Sequence, residues 1–273
     1  MNSSIVNLRQ YFEAANTNGQ GRPMFRYEEF HRIGASGGDF PACEVLFNHH
    51  NCEDFFRNVR DMDHSTETDV YLFRQALAMM RKEGIRTFSF NIDLSTALNA
   101  DFAARASLIA SELGFYNKSD IVLEITEHAA IPDGADLEIL GRIRQMGFRI
   151  AIDDFNPFDD EMVARFEQLI PYADIVKFDH SVGDRFQDGD WEGVSTTIAA
   201  YRQAYPEKIL VLEGVSKQAH GNQDSYVYAL RDAGIDVAQI YTPQARAKQP
   251  VCYHLDDTAD APTSFRFFAR ACV

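Results

Sequence analysis

Five acidic side chains stand at or near the ends of short apolar runs. They are Glu124 in Ile-Val-Leu-Glu-Ile, Asp153 and Asp154 in Ile-Ala-Ile-Asp-Asp-Phe, Asp179 in Ile-Val-Lys-Phe-Asp, and Glu213 in Ile-Leu-Val-Leu-Glu-Gly-Val. Asn91 in Phe-Ser-Phe-Asn-Ile-Asp and Gln239 in Val-Ala-Gln-Ile-Tyr place amides in two further runs of the same kind. Brought into one cleft, so many like charges could not all stay ionised without a cation among them. Carboxylates with an amide carbonyl suit Mg²⁺ or Mn²⁺, and no Cys or His stands in these runs to suit zinc. A hard divalent ion, or a pair of them, is the chemistry these residues predict.

That chemistry needs elements that bring the run ends together. The apolar runs at 88–93, 121–126, 150–155, 175–179, 209–215 and 237–241 alternate with segments of helical spacing at 70–83, 101–113, 136–146, 160–169, 194–205 and 225–233. Gly84, Gly114, Gly147 and Gly234 stand where helices must end before the next strand. This is the repeat of a parallel sheet, and in a barrel of parallel strands the C-terminal ends converge on one face. The expected fold is α/β, a modified (β/α)₈ barrel, in one domain over 1–273 with an N-terminal extension at 1–23 and a tail at 256–273. A run at 24–30 supplies a seventh strand; the eighth is sought in the first thirty residues or at 251–255. Residues 34–69 read as a loop-rich excursion with room for one or two short helices, and 178–193 as an exposed loop.

Composition narrows the function. A net charge of −15 repels polyanions and argues against general nucleic-acid binding, but leaves room for a small phosphorylated ligand held by metal ions. No apolar run is long enough to span a membrane, and the N-terminus carries no secretory pattern. The four cysteines lack metal-ligand spacing and resemble the free thiols of a cytoplasmic protein. The apolar tail at 264–273 is suited to docking on the barrel or on a second subunit, as in a homodimer.

The ordered set Glu-Ile-Thr-Glu, Ile-Asp-Asp-Phe, Val-Lys-Phe-Asp and Leu-Glu-Gly-Val resembles the EAL-domain family of cyclic di-GMP phosphodiesterases. The resemblance implies a modified barrel that opens cyclic di-GMP to linear pGpG with two Mg²⁺ or Mn²⁺ ions. It implies metal ligands at Glu28, Asn91, Glu124, Asp153, Asp154 and Asp179, with Glu28 and Arg32 of Tyr-Glu-Glu-Phe-His-Arg in the place of the signature Glu-Ala-Leu-Leu-Arg. Arg32 and Gln239 would meet the ligand, Glu213 would be the base, and Lys177 would hold the attacking water or the developing charge. Residue by residue, the bland readings are a helix cap for Asp93 and an interior ion pair for Lys177.

The chain departs from the family pattern after the Asp-Asp pair. A glycine-rich loop is replaced by Asn156-Pro-Phe-Asp-Asp-Glu-Met162, and Ser216 stands where relatives have a glutamate that anchors that loop. These departures favour the rival expectation, a catalytically silent member that binds cyclic di-GMP or a protein partner as a receptor or regulator.

Overall fold

The computed structural model describes residues 25–33, 40–48, 52–128, 130–216 and 223–241. Eight strands close into a barrel in chain order: β1 (Phe25–Arg32), β2 (Cys43–Phe47), β3 (Phe88–Ile92), β4 (Ile121–Ile125), β5 (Arg149–Phe155), β6 (Ile175–Phe178), β7 (Ile209–Ser216) and β8 (Val237–Tyr241). The described helices are α1 (Cys52–Asp61), α2 (Ser65–Glu83), α3 (Leu94–Ala97), α4 (Phe102–Glu112), α5 (Glu138–Gln145), α6 (Asp160–Leu169), α7 (His180–Gln187), α8 (Trp191–Ala204) and α9 (Gln223–Ala233). From β2 to β8 the pairing is parallel, whereas β1 runs antiparallel to both its neighbours, β2 and β8. The barrel is therefore the modified kind, with one reversed strand.

Two segments differ from expectation. The eighth strand is β2, inside the stretch read as loop-rich. Cys43-Glu-Val-Leu-Phe47 is short, but Cys43, Glu44 and Val45 are all buried, as a strand covered on both faces requires. Residues 251–255, the tail at 264–273 and the extension at 1–23 lie outside the described residues. The segment 178–193 is mostly helix. Asp179 caps α7 by accepting the Ser181 N–H at 2.8 Å, and Val182 and Phe186, one helical turn apart, are fully buried. The glycines and aspartates that suggested a loop lie within α7 and around its junction with α8.

Period-two alternation builds the barrel interior in layers. Val122, Ala151, Ile175, Val211 and Val237, each from a different strand, pack with Phe40 into a small apolar plug. Two residues further along the same strands come Glu124, Asp153, Lys177, Glu213 and Gln239, so a polar layer sits directly above the plug. The alternate residues, such as Leu123, Ile152, Val176 and Leu212, face outward into the larger core against the helices, where Phe73, Leu77, Phe166 and Ile198 are fully buried.

Two irregularities sit beside the acidic residues. The pairing of β5 with β6 shifts register between Ile152 and Phe155, and Asp154 there takes a left-handed φ of 48°. Adjacent residues of a regular strand point to opposite faces, so this bulge is what lets Asp153 and Asp154 serve one site; the strand itself continues to Phe155. The pairing of β7 with β8 shifts between Leu212 and Val215, around Gly214 at φ 69°. A Cβ at Gly214 would lie 2.7 Å from His180 Cβ and 3.1 Å from His180 Cα.

Gly214→Ala must therefore relax both the left-handed backbone and the approach of α7. We expect a loss of about 1–3 kcal/mol in a denaturant titration, the usual range for a strained backbone position. An unchanged midpoint would show that β7 and α7 yield freely at this contact.

Candidate metal centre

Lys177, on β6, is the centre of the polar layer. Its Nζ lies 2.6 Å from Glu124 Oε2 on β4, 2.6 Å from Asp153 Oδ1 on β5, 2.6 Å from Glu213 Oε1 on β7 and 3.4 Å from Glu44 Oε2 on β2. The Glu124 and Asp153 contacts are aligned hydrogen bonds, while the Glu213 contact is an ion pair without that alignment. Lys177 and Glu124 are each 1% exposed. Burial works against the ammonium, yet Asp153, Glu124, Glu213 and Glu44 keep it protonated and hold it well above the usual lysine range.

The carboxylates are not equivalent. Glu44 is buried, but it accepts Asn91 Nδ2 at 2.6 Å and Gln239 Nε2 at 2.9 Å in addition to Lys177, and this combination leaves it below the ordinary glutamate range. Glu124, Asp153 and Glu213 are raised, first by burial and then by neighbouring carboxylates, Glu44 acting on all three and Asp153 on Glu124 and Glu213, with Lys177 opposing. Burial, Asp153 and Glu127 push Asp154 up to about 8. Ligand oxygens fall into two groups, each within 4.8 Å: an inner group of Glu44, Glu124 and Asp153, and an outer group of Glu127, Asp153 and Asp154. Asp153 belongs to both.

The donor set suits a hard divalent ion. It is all oxygen, and Asn91 Oδ1 and Gln239 Oε1 are buried acceptors with no hydrogen-bond partner. Lone acceptors beside several carboxylates are what a cation, rather than another base, would satisfy.

Asn91, Glu124, Asp153, Lys177, Glu213 and Gln239 are brought together. Three other expected site residues stand apart from this cluster: Arg32, Glu28 and Asp179. Arg32 is exposed and pairs with Val237, at the start of β8. Because β1 runs antiparallel, its C-terminal end lies at the opposite end of the barrel from the other strand ends. Glu28 faces Glu44 across the β1–β2 pair, but its carboxylate is 38% exposed, paired with Arg26, and reached by Gln239 Nε2 at 3.2 Å. Asp179 has both oxygens engaged, one by Ser181 N–H and the other at 2.9 Å from His180 Nδ1. Asp93 caps α3, accepting Ser95 N–H at 2.9 Å, in line with its bland reading.

Sequence reasoning missed Glu44 and Glu127. The signal for Glu44 was present: a glutamate within an apolar run is rarely buried unless paired or metal-bound. Glu127 ends the Glu-Ile-Thr-Glu motif three residues after Glu124, just beyond β4. Its carboxylate is held below the usual range, burial being outweighed by the His128 side chain at 2.7 Å.

The raised carboxyls fix a pH dependence. Asp154, at about 8, and Asp69 on α2, which burial raises to about 7, both bind a proton more tightly folded than unfolded. Their contribution to stability is complete below about pH 4, where the unfolded groups are also protonated, and is lost as pH climbs toward 8. The metal-free protein should thus melt at progressively lower temperature from pH 5 to 8. Mn²⁺ should raise the melting temperature most at the alkaline end, where it no longer competes with protons. A melting temperature that rises with pH over this window would contradict the assignment.

No curated protein matches the sequence. Solved structures with the same fold include the EAL enzyme Bd1971 bound to cAMP and cyclic di-GMP, with TM-score 0.65 and 16% identity over 87% of this chain; the match covers 65% of the Bd1971 chain, just under two thirds. The FimX EAL domain of Xanthomonas citri in complex with c-diGMP gives 0.63 at 13% identity, covering 86% of this chain and 91% of that one. The EAL domain of Mycobacterium smegmatis DcpA gives 0.59 at 19%, covering 85% and 99%. At these identities the structures establish the fold alone. The family model for the EAL domain matches residues 45–239, from the residue after Glu44 to Gln239. With most of its length matched and its barrel closed in the same way, the chain belongs to the EAL-domain family.

Proposed function

We propose that this chain hydrolyses cyclic di-GMP to linear pGpG with two divalent ions, Mg²⁺ or Mn²⁺. The observation that carries the reading is the pair of carboxylate groups sharing Asp153, with unpartnered acceptors from Asn91 and Gln239 beside them. Glu44, Asn91, Glu124 and Asp153 would hold one ion; Glu127, Asp153 and Asp154 would hold the other. Glu44 takes the place first given to Glu28, because it is buried on the strand that enters the cluster and its Glu44-Val-Leu46 also fits a Glu-x-Leu signature. Asp179 is left as a helix cap. Ions in such a pair supply Lewis acidity and a water of lowered pKa for in-line displacement at phosphorus.

The chain's own groups complete the reaction. Glu213, raised by burial beside other acids, is suited to take the proton of the attacking water. Lys177, kept charged by its carboxylate ring, orients Glu213 and stabilises negative charge developing on the phosphate. The Bd1971 and FimX structures carry cyclic di-GMP, which supports this ligand for a barrel of the same kind.

Two observations favour the rival reading of a ligand-binding protein without turnover. Four residues after Glu44, where the signature pattern has its arginine, stands Asn48. The loop after Asp154 is also fixed in a shape of its own. Asn156 Oδ1 accepts the Phe158 N–H at 2.9 Å, Asn156 Nδ2 donates to Ser181 Oγ at 3.2 Å, and Arg185 stacks on the Phe158 ring at 3.8 Å.

Incubation with cyclic di-GMP and Mn²⁺ should yield pGpG. Glu213→Gln should lower that rate by about 10²-fold or more while Mn²⁺ and cyclic di-GMP still bind within a few-fold of the native protein. Native turnover by Glu213→Gln would exclude it as the base. Binding of cyclic di-GMP with no pGpG at saturating Mn²⁺ would install the receptor reading.

A further inference from the structure

Arg165 belongs to no motif, yet its side chain reaches the backbone next to Glu127. It rises from α6 over the C-terminal end of β4, where its Nη2 donates to the Thr126 carbonyl at 2.6 Å. Thr126 is the residue between the end of β4 and Glu127, and its own N–H donates to Ile92 O on β3 at 3.2 Å. Arg165 Nε is buried and has no hydrogen-bond partner. The charges that act on the guanidinium are those of Glu127 and Asp153, both in the outer group. A half-buried guanidinium that leaves Nε unsatisfied gives up part of its hydration, and the Nη2 bond to the Thr126 carbonyl offsets that loss.

We propose that Arg165 is a positioning residue for the outer metal ligands, acting through Glu127. The segment after β4 leaves the sheet at Thr126, so Glu127 has no ladder to fix it. Arg165 clamps the preceding carbonyl to α6, the helix that follows the Asp153–Asp154 bulge, and so holds Glu127 within reach of those two carboxylates. The inference rests on the outer group being a metal site. Geometry and charge make opposite demands: a clamp that is lost weakens metal binding, whereas the loss of a mere cation beside the site removes a repulsion and strengthens it. The guanidinium's aligned hydrogen bond is to the backbone, and its charge acts across a partly solvated mouth. The clamp should therefore dominate.

The test is Mn²⁺ binding to the full chain without nucleotide, followed by calorimetry or by the signal of free Mn²⁺ in electron paramagnetic resonance. Arg165→Met should weaken one class of Mn²⁺ site by about 10- to 100-fold, as loss of a supporting partner usually does. Arg165→Lys, which keeps the charge but lacks the planar head that presents Nη2 to the Thr126 carbonyl, should weaken the same class by several-fold and guards against a misfolded Met variant. Glu127→Gln should weaken that class too, and Arg165→Met added to it should cost nothing more, because both act on one ligand. Unchanged or tighter binding by the Arg165 variants, or losses that multiply in the double variant, would overturn this inference alone. A native chain that binds no Mn²⁺ would overturn the proposed function and this inference with it.

Discussion

A buried ammonium surrounded by four carboxylates is the contact on which the rest of the barrel depends. Glu44, Glu124, Asp153 and Glu213 come from four strands and end within 3.4 Å of Lys177 Nζ. Ionised carboxylates taken out of water repel one another and lose hydration, and a single cation among them offsets only part of that cost. A structure that retains such an arrangement inside a packed barrel is keeping charge available rather than maximising stability. The apolar plug below it, with Val122, Ala151, Ile175, Val211 and Val237, closes off the other end, so the charged layer can open only toward the strand C-termini.

Strand register follows from the same constraint. Asn91 pairs with Glu124, whereas Lys177 pairs with Val211, two residues before Glu213; in tilted barrel strands that two-residue stagger brings the polar side chains to one height. A slip of one residue in any strand would send its charged side chain outward into the apolar core. The bulges at Asp154 and Gly214 extend this control to adjacent residues: one brings both aspartates to a single site, and the other sets Glu213 against the start of α7.

Much of this was legible in the sequence because strand and helix have different periods and because acids inside apolar runs are conspicuous. Seven strands and the gathering of acids at their ends could be read that way. Glu28 and Glu44 stand opposite each other in the β1–β2 ladder, and only Glu44 is buried, a difference that neither run shows by itself. The antiparallel reversal of β1 carries Arg32 to the far end of the barrel. The helix at His180–Gln187 was hidden by its Gly and Asp content, although Asp179 with Val182 and Phe186 held the cap and the buried stripe. Arg165 could not be found from sequence at all, since a lone arginine on an amphipathic helix carries no sign of the carbonyl it will reach.

The account turns on whether the carboxylate ring is a metal centre or a closed network of ion pairs. Crystals soaked in Mn²⁺ and measured for anomalous scattering answer this directly. The account predicts one Mn²⁺ peak among Glu44, Asn91, Glu124 and Asp153, with Lys177 drawn toward Glu213, and a second among Glu127, Asp153 and Asp154. No peak at saturating Mn²⁺, with Lys177 still bound by all four carboxylates, would contradict it.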